Sequence, residues 1–240
     1  MELIIISGVA RVGKTVLAKL LAKEAFELGF KPIILPFAGP LKDEAKSRGY
    51  TKEETPSEYR EFCQVHGALK REEDPDYWVR AFEDRLIEIY EEELKDLKNG
   101  KAYWQRVVIA DDCRYDNEIS IAKKYRACTI FVSPGNRKIE DMDGDWRQHH
   151  SEHMASSIEN GDDKLLSLFD YVINNDGDEE DLSEKVSSMA PIWTGVQASP
   201  NYNNEEMGLV ISELVDLFLD EFGKLEEDEE DDDRDYFCSD

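Results

Sequence analysis

The sequence predicts an α/β fold, a five-stranded parallel sheet flanked by helices. Five short apolar runs rich in β-branched residues alternate with stretches whose apolar residues recur at helical spacing, the pattern of strands buried on both faces of a parallel sheet. The first run, Leu3-Ile4-Ile5-Ile6, leads into Gly8-Val9-Ala10-Arg11-Val12-Gly13-Lys14-Thr15, which has the G-x-x-x-x-G-K-[ST] spacing of a phosphate-binding loop. Behind it Val16, Leu17, Leu20, Leu21 and Phe26 fall on one helical face, so strand, loop and helix come in the order such a loop requires.

Along the chain, Gly29 and Pro32 end the first helix, and residues 31–35 form a second strand. Residues 36–42 follow as a loop, and because ligands collect at the carboxyl ends of parallel strands this places Lys42 near a cleft. Thr55-Pro56-Ser57-Glu58 supplies a capping box and a proline at the first helical position, so a helix begins there. Asp74-Pro75 starts another, carrying Trp78, Phe82, Leu86, Ile89 and Tyr90 and ending at Asn99-Gly100. A third strand at 107–110 runs into Asp111-Asp112-Cys113-Arg114, and a helix over 115–125 precedes a fourth strand at 129–132. Residues 133–150 are polar, hold Pro134, Gly135 and Gly144, and predict a lid loop. A short helix from Ser151, a fifth strand at 171–173 and a helix over 179–189 complete one domain spanning 1–190.

The rest of the chain differs in character. Residues 191–204 read as a linker, and 205–225 as a helix with Met207, Val210, Ile211, Leu214, Leu217, Phe218 and Phe222 on one face. Residues 226–240 open with eight consecutive acids and read as a disordered tail. The formal net charge is −26, of which residues 225–240 contribute −9 and the body −17. Such a field repels nucleic-acid polymers but leaves room for a local basic cleft that takes a small nucleotide. Cys63, Cys113, Cys128 and Cys238 show no C-x-x-C spacing, which fits a reducing compartment. With neither a signal peptide nor an apolar span of membrane length, the expectation is a soluble, cytoplasmic protein without a membrane partner.

The chemistry begins at the loop. Unpaired N–H groups opening onto a helix N-terminus suit a polyphosphate, because both the donors and the helix dipole favour anions. The polyphosphate-binding set is therefore Gly8, Arg11, Val12, Gly13, Lys14, Thr15 and Val16, with Lys14 reaching the β- and γ-phosphates and Thr15 holding Mg²⁺. Asp111-Asp112, at the end of a hydrophobic strand, supplies a second nucleotide signal, since an acid there can hold Mg²⁺ or its water shell. Spacing does not separate the two; Asp112 is the assigned ligand, Asp111 the alternative, and a helix N-cap the purely structural role. Arg114 follows directly and either points into the same crevice or faces solvent. Trp78 is either core or a stacking platform for an acceptor base. His149 and His153 share a helical spacing, but H-E-x-x-H is missing and no cysteine lies at ligand spacing, which disfavours zinc.

Several segments together resemble a known family, the bacteriophage-type deoxynucleoside monophosphate kinases, related in fold to adenylate kinase. Besides the phosphate loop, Phe37-Ala38-Gly39-Pro40-Leu41-Lys42 is similar to that family's F-A-[DG]-P-L-K, and Asp112-Cys113-Arg114-Tyr115-Asp116-Asn117-Glu118 to its D-x-R-[FY]-x-N-E. His149-His150-Ser151-Glu152 resembles H-x-S-E, and Phe169 to Gly177 resembles its closing strand and turn. The resemblance covers about 190 residues and implies a P-loop kinase fold, ATP as donor, Mg²⁺ as cofactor and a deoxynucleoside 5′-monophosphate as acceptor. It implies that Lys14, Arg114, Arg137 and Arg147 serve the transferring group, and that Lys42, Arg71, Trp78, Asp112, Arg114, Glu118, His150 and Glu152 bind the acceptor. Host cytoplasm is the implied location. The alternatives are another small phosphorylated acceptor, or a nucleotide-binding interaction protein that works through its acidic tail. The C-terminal helix packs either on its own domain or across a homodimer.

Overall fold

The computed structural model describes residues 1–99, 104–136 and 153–189. The expected linker, amphipathic helix and acidic tail lie outside these residues, as does nearly all of the expected lid. Five strands, β1 (Glu2–Gly8), β2 (Lys31–Ile34), β3 (Arg106–Cys113), β4 (Cys128–Ser133) and β5 (Tyr171–Asn174), make one sheet in the order β2-β3-β1-β4-β5. Every neighbouring pair is parallel. The order explains the sequence pattern. β1 is central, which is why Leu3 to Ile6 are all buried, while β5 is an edge strand and leaves Tyr171 and Val172 exposed.

Eight helices flank the sheet among the described residues. They are α1 (Lys14–Glu27), α2 (Gly39–Ser47), α3 (Pro56–Glu73), α4 (Tyr77–Lys98), α5 (Asp116–Tyr125), α6 (His153–Glu159), α7 (Asp163–Leu166) and α8 (Glu179–Ser188). Leu17, Ala18, Leu21, Ala22 and Ala25 give α1 a buried face; it packs on β2 and β3, with α8 alongside. Phe37 of the β2–α2 connection stacks on Phe82 of α4 with ring centroids 4.2 Å apart, tying that helix into the core. No helix among the described residues is long and apolar enough to cross a membrane.

Two local expectations are corrected. Residues 36–42 are not all loop, because α2 begins at Gly39 with Pro40 in its first turn, a position where proline's missing N–H has no partner to lose. Lys42 thus stands on the first turn of a helix. The capping box at Thr55 does not form: α3 does start at Pro56, but the Thr55 hydroxyl accepts from the Thr51 N–H at 2.9 Å and so turns away from the helix it precedes. Strand and helix bounds otherwise follow the apolar runs, with β3 extended through the two aspartates.

The sheet order also creates the cleft. From β3 the chain crosses over β1 to reach β4, so the direction of chain progression reverses at the carboxyl end of β1, where parallel sheets open a crevice.

Candidate active site

The loop after β1 occupies that crevice. Gly8 has φ +151, and a Cβ there would stand 2.5 Å from the carbonyl oxygen of Val132, so only glycine lets the loop leave the sheet this close to β4. Gly13 has φ +95 and forms the N-cap of α1, at the end of the helix where the first-turn N–H groups have no partner within the helix. Between them Arg11 takes a left-handed conformation, φ 59, rare for a residue with a side chain. The Lys14 ammonium, nearly buried, donates to the carbonyls of Gly8 at 2.9 Å and Val9 at 2.8 Å, spanning its own loop. Val12 is buried beneath the loop, whereas Val16 faces outward from α1.

The two aspartates divide the work differently from the assigned order. The Thr15 hydroxyl donates to the Asp111 carboxylate at 2.9 Å, so Asp111, not Asp112, faces the phosphate loop. Asp112 instead accepts from the backbone N–H groups of Phe37 at 2.6 Å and Ala38 at 3.1 Å, mooring the connection into α2. The register against β1 gives the cause. Ile5 pairs with Ala110 but Ser7 pairs with Cys113, so β3 carries one extra residue at the aspartates, a bulge that re-aims its side chains. Ser7 donates its hydroxyl to the Cys113 carbonyl at 2.9 Å and closes the irregularity.

The crevice crowds negative groups. Burial pushes the Asp111 carboxyl up to about 6, the neighbouring Asp112 adds to the effect, and the Thr15 hydrogen bond and the charge of Lys42 oppose it. Burial likewise raises Glu118 to about 7. Glu118 folds back from α5 to accept from the N–H groups of Arg114 at 2.7 Å and Tyr115 at 3.2 Å. Arg71 approaches it to 3.7 Å, lies 4.3 Å above the Tyr115 ring and donates to the Gly67 carbonyl at 3.2 Å. Arg71 is therefore held in place rather than solvated near Glu72 and Glu73. Arg114 is exposed on the turn between β3 and α5.

Trp78 is not a stacking platform. It is 2% exposed, and its indole N–H donates to the Gly67 carbonyl at 3.1 Å, so both its face and its polar handle are used inside the α3–α4 contact. Arg137, Arg147, His150 and Glu152 lie outside the described residues. Among the described residues no three His, Cys, Asp or Glu side chains cluster as a metal site. The Thr15 hydroxyl and Asp111 carboxylate nonetheless offer adjacent hard oxygen donors, which suit Mg²⁺, an ion that takes only one or two protein ligands beside substrate phosphates and water.

A central strand, a phosphate loop, a buried lysine and the order β2-β3-β1-β4-β5 decide the architecture. This is a P-loop kinase fold. Solved structures similar to it include shikimate kinase from Bacteroides thetaiotaomicron, 15% identical over 80% of this chain and 98% of that one, with a TM-score of 0.42. Shikimate kinase from Aquifex aeolicus is 14% identical over 81% of this chain and 99% of that one, TM-score 0.40. Shikimate kinase from Acinetobacter baumannii in complex with shikimate is 15% identical over 82% and 96%, TM-score 0.38. No family model and no curated protein matches the sequence. Likenesses at this distance do not choose an acceptor.

One residue of the site escaped the sequence reading. Asn175, just beyond β5, donates its side-chain amide to the Val12 carbonyl at 2.8 Å. Its signals were a polar pair, Asn174-Asn175, ending an apolar strand, and its place in the Phe169 to Gly177 stretch, neither of which assigns it a partner.

Proposed function

We propose that the protein transfers the γ-phosphoryl group of ATP to the 5′-phosphate of a deoxynucleoside monophosphate, with Mg²⁺ as cofactor. The observation that carries this reading is the way two sets of groups meet on successive carboxylates of one strand. Asp111 faces Thr15 and the loop of Lys14, while Asp112 moors the connection into the helix of Lys42. Arg71 lies beyond, on Glu118. One anionic substrate on the loop and a second beside Lys42, Arg71 and Arg114 would place donor and acceptor across these carboxylates. The motifs around Phe37 and Asp112 support a nucleotide acceptor.

The chemistry suits the residues present. A phosphate acceptor is already an anionic nucleophile at neutral pH, so no general base is required, and catalysis reduces to alignment and neutralisation of charge. Lys14 and the loop amides hold the donor phosphates; Lys42, Arg71 and Arg114 orient the acceptor; the reading also assigns Arg137 and Arg147 to the transferring group. Mg²⁺, when bound, supplies charge neutralisation on the donor phosphates, and Thr15 with Asp111 would hold it, in place of the Asp112 assignment.

A coupled ADP-release assay over a panel of deoxynucleoside and ribonucleoside monophosphates and other small phosphorylated acceptors tests this. The expected result is Mg²⁺-dependent turnover with at least one deoxynucleoside monophosphate. Turnover confined to a different phosphorylated acceptor would keep the transfer chemistry and replace the substrate. Normal ATP binding with no acceptor turned over would end the proposal.

A further inference from the structure

Asn175 has no part in the transfer described above, yet it is 8% exposed and tied to the loop from the far edge of the sheet. Its backbone N–H donates to the Ser133 carbonyl at 2.7 Å, which fixes it to the end of β4. Its side-chain N–H then reaches the Val12 carbonyl, 163 residues away in sequence. A Cβ built on Gly13 would stand 2.4 Å from that same amide nitrogen, so the side chain packs directly on the peptide joining Val12 to Gly13. Lys185 of α8 braces the segment from the other side, donating to the Asn174 carbonyl at 2.6 Å and to Asp176 at 3.1 Å.

The peptide between Val12 and Gly13 is trans, and in a trans peptide the C=O and N–H point in opposite directions. A donor that captures the Val12 carbonyl therefore sets the direction of the Gly13 N–H. With no such donor, the left-handed Gly13, free of a side chain, allows that peptide plane to turn.

We infer that Asn175 is a positioning residue for the polyphosphate donor, acting through the Val12–Gly13 peptide to aim the Gly13 N–H and the first amides of α1 at the anion. It touches no reacting atom, and its contribution falls on the donor rather than the acceptor. The inference rests on the phosphotransfer reading for the identity of the anion, and it separates from that reading experimentally.

The test is Asn175→Ala in the full chain, with ATP and acceptor affinities measured separately by calorimetry and kcat and KM by the coupled assay. ATP affinity should fall about tenfold, equivalent to about 1.4 kcal/mol. Acceptor affinity should stay within twofold, and the melting temperature without nucleotide should stay within a few degrees. A general loosening of the fold would instead lower both affinities together. Asn175→Ser, which keeps a donor on a shorter arm, should recover part of the loss, and it carries the same criterion if the alanine variant does not fold. ATP affinity of Asn175→Ala within twofold of the unsubstituted protein, no recovery in Asn175→Ser, or equal loss for both ligands, overturns the inference. An unsubstituted protein that binds ATP but phosphorylates no monophosphate loses the proposed acceptor and leaves this inference standing.

Discussion

β3 carries charge at both ends, and the two ends follow opposite rules. At the amino end Arg106 is 3% exposed yet surrounded by partners. Its N–H donates to Glu93 at 3.0 Å; its guanidinium donates to the Ile89 carbonyl and to Asp96 at 3.3 Å and lies 3.5 Å from Glu92. The second carboxylate oxygen of Glu93 is 3.2 Å from the amino terminus. Toward the carboxyl end of the strand, Asp111 and Asp112 are like charges side by side, with Glu118 close behind, and the Asp111 and Glu118 carboxyls are pushed up to about 6 and about 7. Charge compensated within the chain serves the fold. Crowded carboxyls at a cleft lack that compensation, and shifts of this kind cluster at functional sites.

Substitutions at the two ends should separate these roles. The largest effect belongs to Lys14→Ala: transfer measured by ADP release should fall at least about a hundredfold while the melting temperature moves by only a few degrees. Retained activity would take the loop out of the reaction. At the opposite end, Arg106→Ala keeps the backbone bond to Glu93 but takes the buried guanidinium from the Ile89 carbonyl, Asp96 and Glu92, and should cost about 2–3 kcal/mol, lowering the melting temperature by on the order of 5–10 °C. The folded fraction should keep its kcat. A small thermal shift would mean that the amino-end cluster is solvated rather than structural.

Asp111→Asn should reverse that sign. The folded protein holds the Asp111 proton more tightly than the unfolded chain, since its value rises from 3.8 to about 6. That stability is therefore fully present below the unfolded value and is lost as pH rises through the folded one. Glu118, raised from 4.5 to about 7, extends the window, so the unliganded protein should lose stability between about pH 4 and 7. At pH 8 Asp111→Asn removes a buried charge and should gain about 1–2 kcal/mol in urea denaturation while losing activity. A variant less stable than the unsubstituted protein at pH 8 would contradict the contrast. Smallest is Trp78→Phe, which should cost about 1 kcal/mol through the lost bond to Gly67 and leave the ranking of acceptors unchanged. A changed ranking would return Trp78 to the substrate.

Most of the fold was legible because the core strands are short, apolar and separated by helical periodicity, and because glycine, lysine and threonine spacing marks the loop without reference to anything distant. The site was less legible wherever a side chain's target lies on another element. Asp111 and Asp112 are equivalent on the page, and only a bulge set against β1 tells them apart. Thr55 has the residue type and spacing of a cap, but the hydroxyl found Thr51 first. Trp78 shows the reverse: its periodicity already favoured the core, and the indole bond to Gly67 closes the question. Asn175 required knowing that β5 ends beside the loop of β1, a fact of sheet order rather than of local sequence.

The Lys14 ammonium, lying across the carbonyls of Gly8 and Val9, is a placeholder cation. The loop is thus cross-braced by the same charge that a phosphate would claim on the proposed function, and its arrival would be an exchange of oxygen partners around a nitrogen already in place. Such a receptor has little left to freeze on binding, so donor capture should be quick and carry a small ordering penalty. Selectivity among donors would then come from the nucleoside end, beyond the reach of a loop that recognises phosphate alone.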